Sequence, residues 1–87
     1  MKLSREKVFG LIDDEREYQN SKWHIDQQKE YTLSEWLTMM KKYVNEAENS
    51  MFEGDDEKAR FAILKISSLG VASLEQMGCK SRKKIEQ

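Results

Sequence analysis

The stretch from Phe61 to Leu74 constrains the fold more than any other part of the chain. Lys65 is its only charged residue, in a protein in which 36% of residues are charged. Apolar and small residues recur here at helical spacing in two stripes, so we expect a central helix that needs cover on two sides. The first stripe contains Ala59, Ala62, Ile63, Ile66, Leu69, Gly70, Ser73, Leu74 and Met77. The second contains Phe61, Leu64, Ser68 and Val71.

A second helix before this stretch has the clearest start signal in the chain. Thr32 and Glu35 match a capping box, in which the threonine side chain bonds the amide of Glu35 and the glutamate reaches back. The apolar stripe that follows runs to Met51, and Gly54 is a typical C-terminal cap. Asp55 then suits the N-cap of the central helix. Because so short a connection joins them, the two helices are predicted to form an antiparallel hairpin.

The first predicted helix changes character halfway along its length. Ser4 suits its N-cap, and Val8, Leu11 and Ile12 give it an apolar face, but the next inward positions are polar. Polar groups on such a line indicate either the rim of the core or a binding site. We predict a ligand- or partner-binding site where this helix ends, the segment 24–31 passes and the second helix begins. The candidate residues are Glu15, Gln19, Lys22, Trp23 and Trp36. The alternative is that the two tryptophans simply close the core.

Length and composition complete the prediction of an all-α fold. The chain has no proline and four glycines, and it is rich in good helix formers. We expect three helices in one domain, residues 1–78, followed by a basic tail, residues 79–87. A core of this size is marginal, and the lone Cys79 excludes an internal disulfide. We therefore expect two chains to complete a helical bundle, at least a dimer, through the stripe of Phe61, Leu64 and Val71.

Charge and hydropathy patterns bear on location and partners. The N-terminus lacks the apolar core of a signal peptide, and no segment reads as a membrane span, so we expect a cytoplasmic protein without a membrane partner. Residues 12–57 carry thirteen acidic against five basic residues, whereas residues 58–87 carry seven basic against two acidic. A basic tail can contact nucleic acid, but it is more commonly a solvated terminus, and we expect no nucleic-acid partner.

Candidate catalytic residues are few. Magnesium prefers several convergent carboxylates, and Glu15, Glu46 and Glu48 are the candidates for such a site. The interior of the predicted central helix offers no further carboxylate, so we expect no metal or other cofactor, with Mg²⁺ as the alternative. His24 is the sole histidine, and no Ser–His or Cys–His pairing is indicated.

Three short motifs resemble a known group of proteins. Glu15-Arg16-x-x-Gln19-x-x-Lys22-Trp23, then Glu35-Trp36, then Leu74-Glu75-Gln76-x-Gly78 look like short phage and prophage proteins of undefined activity. The helical layout is similar, more weakly, to the all-α nucleotide pyrophosphohydrolases of the MazG type. Those enzymes hold magnesium through a Glu-Glu-x-x-Glu motif on one helix and a Glu-x-x-Asp motif on the next. In this chain Glu46-Ala47-Glu48 is a fragment of the first motif, and Lys65 and Ser68 stand where the second would fall.

Two functions follow as expectations from this resemblance. The first is a small non-catalytic helical binding protein, phage-encoded, that binds or inhibits a host protein or sequesters a nucleotide-like ligand. The alternative is a reduced MazG-type, magnesium-dependent nucleoside triphosphate pyrophosphohydrolase with Glu15, Glu46 and Glu48 on the metal. The incomplete acidic motifs favour the first.

Overall fold

The computed structural model describes residues 1–23 and 30–85, without the side chains of Trp23 and Lys84. Within these residues the chain forms α1 (Arg5–Trp23), α2 (Leu33–Phe52), α3 (Asp56–Met77) and a single-turn α4 (Arg82–Ile85). No strand occurs in the described ranges, which confirms the all-α prediction with three long helices. The short α4 lies inside the segment that the sequence predicts as a tail.

The predicted capping residues stand at the ends of the helices. The Glu35 amide donates to Thr32 Oγ1 at 3.1 Å, and the Thr32 amide donates to Glu35 Oε1 at 2.9 Å, which completes the capping box of α2. Gly54 follows α2 with a φ of 81°, a left-handed conformation that favours glycine. The Lys58 amide then donates to Asp55 Oδ1 at 3.0 Å, so Asp55 is the N-cap of α3.

The central position of α3 is confirmed by its contacts. Both α1 and α2 pack against α3, whereas no described residue of α1 comes within 8 Å of α2 between Cα atoms. The contact of α2 with α3 is largely apolar: Trp36 is 1% exposed, Leu69 is fully buried, and Ala72 packs beside them. Contacts of Trp36 with Gln76 and of Glu46 with Lys65 show that the two helices run antiparallel.

The second stripe of α3 lies on the side that faces α1, which covers it only in part. Leu64 is partly buried and lines an apolar cleft of about 460 Å³ together with Val8 and Ile12. Ser68 is fully buried, and its Oγ lies 3.4 Å from the carbonyl oxygen of Ile12. Leu64 of this stripe thus lies beside the apolar start of α1, whereas Phe61 and Val71 are 46% and 38% exposed. A contact of this stripe with a second chain stays a prediction.

Candidate functional site

An open cleft of about 370 Å³ lies where α1 and α2 diverge over α3. Since α1 and α2 pack on α3 but not on each other, α3 forms the floor of this cleft. Its lining combines three aromatic rings, two ammonium groups and one carboxylate. The lining residues are Glu15, Tyr18 and Lys22 of α1, Tyr43 of α2, and Phe61 and Lys65 of α3.

Lys65 is held at the floor of the cleft by one carboxylate and two rings. Its Nζ lies 3.2 Å from Glu46 Oε1, and both side chains are partly buried. The same Nζ lies 5.2 Å from the centroid of the Tyr43 ring and 5.3 Å from that of the Phe61 ring. Both distances are within cation–π range, so the rings and the carboxylate together stabilise the ammonium group in this position.

Glu15 is the titratable group of the cleft with a shifted pKa. Its partial burial disfavours the ionised carboxylate and raises the pKa above the ordinary value of 4.5. The positive charge of Lys65 and a hydrogen bond from the Gln19 side chain act in the opposite direction without outweighing burial. The cleft thus contains a carboxyl group that is easier to neutralise than one in water.

Gln19 lies behind the cleft, in the contact between α1 and α3. It is fully buried, and its Nε2 donates to the carbonyl oxygen of Lys65 at 3.4 Å. Its Oε1 has no hydrogen-bond partner in the described part of the chain. A buried acceptor without a partner costs free energy, so Gln19 is a polar group placed where an apolar one would fit better. The polar residues on the inward side of α1 thus have two positions: Glu15 and Lys22 line the cleft, and Gln19 contacts α3.

Trp36 is in the core rather than in the cleft. Its Nε1 donates to Gln76 Oε1 at 3.1 Å, and its ring meets that of Tyr31 edge to face with centroids 5.2 Å apart. Gln76 is eleven residues beyond Lys65, which is about 16 Å along a helix. The placement of Trp36 agrees with the alternative interpretation, in which it closes the core. The Trp23 side chain and residues 24–29 of the predicted site lie outside the described residues.

A second polar contact joins α1 to α3 near Gln76. Arg16 is 8% exposed, its Nε donates to Glu75 Oε1 at 2.6 Å, and its Nη1 donates to Asn20 Oδ1. Several residues that carry the resemblance to phage proteins therefore make contacts between helices: Arg16 with Glu75, and Trp36 with Gln76. These motif residues hold the fold together, whereas Glu15 and Lys22 of the same motifs face the cleft.

Four lining residues are not among the predicted site residues: Tyr18, Tyr43, Phe61 and Lys65. A usable signal existed for Lys65, because it is the single charge in an apolar helix and a buried charge needs partners. The polar-tipped rings of Tyr18 and Tyr43 are candidates for stacking on a base, but tyrosine and phenylalanine on amphipathic helices also commonly belong to the core.

The three acidic residues of the magnesium alternative do not come together. Glu46 and Glu48 are two residues apart on α2, which places them about 200° apart around the helix. Glu46 is paired with Lys65, and Glu48 is exposed. Among the described residues, no group of three or more His, Cys, Asp or Glu side chains is arranged to hold a metal ion.

Comparisons of the chain with protein-family models, with curated proteins and with solved structures give no match. In the described ranges, no helix is both long enough and apolar enough to span a membrane. The geometry of the cleft and of the exposed surfaces is therefore what bears on function.

Proposed function

We propose that this protein is a small non-catalytic helical binding protein whose cleft takes a nucleotide-like ligand. The observation that carries the proposal is the cleft lining, with three aromatic rings beside two ammonium groups. Aromatic side chains stack on flat bases, and lysines pair with phosphate oxygens. A volume of about 370 Å³ also falls within the range of small-molecule sites.

The arrangement of charge within the cleft supports an anionic ligand with a ring. Lys22 is exposed on α1, and Lys65, which is paired with Glu46, lies on the floor near the Tyr43 and Phe61 rings. Tyr18 and Phe61 are each about half exposed, so a base can reach their faces. Glu15 opposes an anion, but its raised pKa makes it easier to neutralise as a phosphate approaches.

The absence of catalysis is proposed from the surroundings of Glu46. In a magnesium-dependent enzyme this carboxylate would contact the metal, whereas here the Lys65 ammonium group lies 3.2 Å from it. Glu48 lies on another side of α2 and does not reach the cleft. The alternative, a reduced MazG-type pyrophosphohydrolase, predicts phosphate release from nucleoside triphosphates with Mg²⁺. Turnover that Glu46→Gln abolishes would establish that alternative and overturn the non-catalytic proposal.

Isothermal titration calorimetry tests the ligand proposal. The probes are ribo- and deoxyribonucleoside triphosphates, the parent nucleosides and inorganic tripolyphosphate. We expect a nucleotide to bind more tightly than either its nucleoside or tripolyphosphate, because only the nucleotide uses both rings and ammonium groups. Lys22→Ala should weaken binding on the order of tenfold, the usual effect of losing one charge-assisted hydrogen bond.

Lys41→Ala is the matched control for this titration. Lys41 is also exposed, but it lies about 200° around α2 from Tyr43 and so away from the cleft. Its removal should leave binding unchanged. Equal losses in the two variants would show a non-specific effect of charge, and no binding by any probe at several hundred micromolar would reject the ligand proposal.

Self-association to at least a dimer is part of the proposal. Only Trp36, Ala62, Leu69 and Ala72 are buried apolar residues in the described part of the chain, a small core for a domain of this length. Binding or inhibition of a host protein, phage origin and a cytoplasmic location stay predictions from the sequence.

A further inference from the structure

The α2–α3 hairpin has an extensive apolar face that no helix of the same chain covers. Seven large apolar residues on it are between 42% and 60% exposed. They recur at helical spacing, so each helix contributes one stripe. These residues, called the hairpin face below, are Leu33, Leu37, Val44 and Met51 of α2 with Ile63, Leu74 and Met77 of α3.

Both stripes of the hairpin face point away from α1, although Ile63, at the edge of the face, also lines the apolar cleft that α1 shares with α3. On α2, Glu46 pairs with Lys65 of α3, and the exposed stripe lies about 140–180° around the helix from Glu46. On α3, Ser68 faces α1, and the exposed stripe lies about 120–180° away from it. The two stripes therefore flank the buried seam between α2 and α3 and form one continuous surface.

We infer that the hairpin face is the interface between two copies of this chain. Side chains exposed to this degree present on the order of 700 Å² of accessible surface, close to the ~800 Å² that each partner contributes to a stable interface. Apolar patches of this size are uncommon on a protein that stays monomeric. Two hairpins joined through this face form a four-helix core, with each α1 packed outside it.

The charged rim of the face favours a second copy as the occupant. Lys41 and Glu48 border the stripe on α2, and Asp56 and Arg60 border the stripe on α3. All four are exposed, two are basic and two are acidic. A two-fold axis brings a copy of the same balanced rim against it, so the two chains meet without net repulsion. Lys41 and Glu48 alternate with the apolar residues of the stripe along α2, so in the dimer they lie beside the apolar contact, where opposite charges of the second copy can pair with them.

This interface differs from the dimer contact predicted at Phe61, Leu64 and Val71, and it adds to the proposed function. It rests on the proposed self-association but not on the ligand, because the cleft lies on the other side of the hairpin. Both clefts stay open in such a dimer, which predicts one ligand per chain.

Methionine oxidation of the unmodified protein tests the interface without a mutation. Met51 and Met77 belong to the hairpin face, and the fully exposed Met1 is an internal reference. From sub-micromolar to several hundred micromolar protein, light scattering should show a rise from 10.3 kDa to twice that mass. In the same range, peroxide oxidation of Met51 and Met77 should slow roughly fivefold or more relative to Met1, because burial shields the thioether.

Two outcomes of this experiment overturn the inference. A 10.3 kDa monomer at several hundred micromolar would mean that a different partner, or none, covers the face. A dimer in which Met51 and Met77 oxidise as fast, relative to Met1, as in the dilute protein would place the interface elsewhere.

Leu37→Glu and Leu74→Glu provide an independent test, with Phe9→Glu as the matched control. Phe9 is 61% exposed on α1, away from the hairpin face. The two face variants should be monomers and the control a dimer; dimeric face variants, or a monomeric control, would contradict the interface. If the face variants unfold while the control stays folded, the oxidation of the unmodified protein decides. Slow oxidation of Met51 and Met77 at high concentration then supports the interface, and oxidation as fast as in the dilute protein contradicts it. Nucleotide binding by a folded monomeric variant separates this inference from the ligand proposal.

Discussion

The two contacts that α3 makes differ in chemistry. Against α2 it buries Leu69 and Ala72 under Trp36, so this contact is stabilised by excluding water from apolar surface. In its contact with α1, α3 accepts hydrogen bonds from Arg16 and Gln19 of α1. Burying these polar side chains costs free energy that only well-placed hydrogen bonds offset. We therefore expect the contact of α2 with α3 to contribute more to stability than the polar part of the contact of α1 with α3.

The largest expected effect comes from the apolar contact. Leu69→Ala should lower the free energy of unfolding by about 2–5 kcal/mol, because Leu69 is fully buried and its truncation leaves a cavity. For a domain of this size each kcal/mol lowers the Tm by about 4–8 °C. Urea unfolding followed by circular dichroism measures the change. Leu3→Ala, at a residue 44% exposed, is the control and should cost far less. Equal effects would show that the hairpin does not dominate stability.

An intermediate effect is expected at Gln19, in the polar contact. Gln19→Ala removes the bond to the Lys65 carbonyl and leaves a cavity, which should cost about 1–3 kcal/mol. Gln19→Leu fills nearly the same space and removes the unpaired Oε1, so its stability should equal or exceed that of the unmodified protein. Comparing the Tm of the Gln19→Ala and Gln19→Leu variants distinguishes the effect of lost side-chain volume from that of lost polar groups. A leucine variant as unstable as the alanine variant would mean that α1 requires the amide.

The smallest effect concerns the pH dependence of stability at Glu15. Because its pKa is raised in the folded state, the folded protein binds this proton more tightly than the unfolded chain does. Stability is therefore lost as the pH rises from about 4.5 through the folded pKa. Glu15→Gln should remove that loss and give a flatter profile of urea midpoints between about pH 4 and 8. Glu17→Gln, at an exposed residue of α1, is the control. A profile unchanged by Glu15→Gln would contradict the assignment.

The parts of the fold that the sequence predicts correctly depend on local chemistry. A capping box acts over three residues, so Thr32 and Glu35 identify the start of α2 without knowledge of the tertiary structure. Asp55 marks the start of α3 for the same reason. The exposed side of α3 was not predictable in this way, because it depends on the direction from which α1 packs. Periodicity shows that a helix has two apolar sides to be covered, but it does not show which of them α1 covers.

The candidate site was predictable only in part. The apolar face of α1 is interrupted by polar residues, and two of them, Glu15 and Lys22, line the cleft. Their neighbours there come from α2 and α3, and the register between helices is set by packing rather than by spacing along one helix. For the same reason, the pairing of Arg16 with Glu75, 59 residues apart, has no signature in the local sequence.

Gln76 anchors the segment that enters α2, and this bears on how long the connection from α1 can be. Its side-chain amide accepts from the Tyr31 amide at 3.0 Å and donates to the Tyr31 carbonyl at 2.7 Å, the exchange that a peptide group makes with a neighbouring strand. The chain entering α2 is thus attached to α3 directly, and the connection from α1 does not have to hold it in place. Because closure entropy grows slowly, doubling the length of that connection costs only about 0.6 kcal/mol. Residues inserted between α1 and Tyr31 should therefore lower the stability of the fold only slightly.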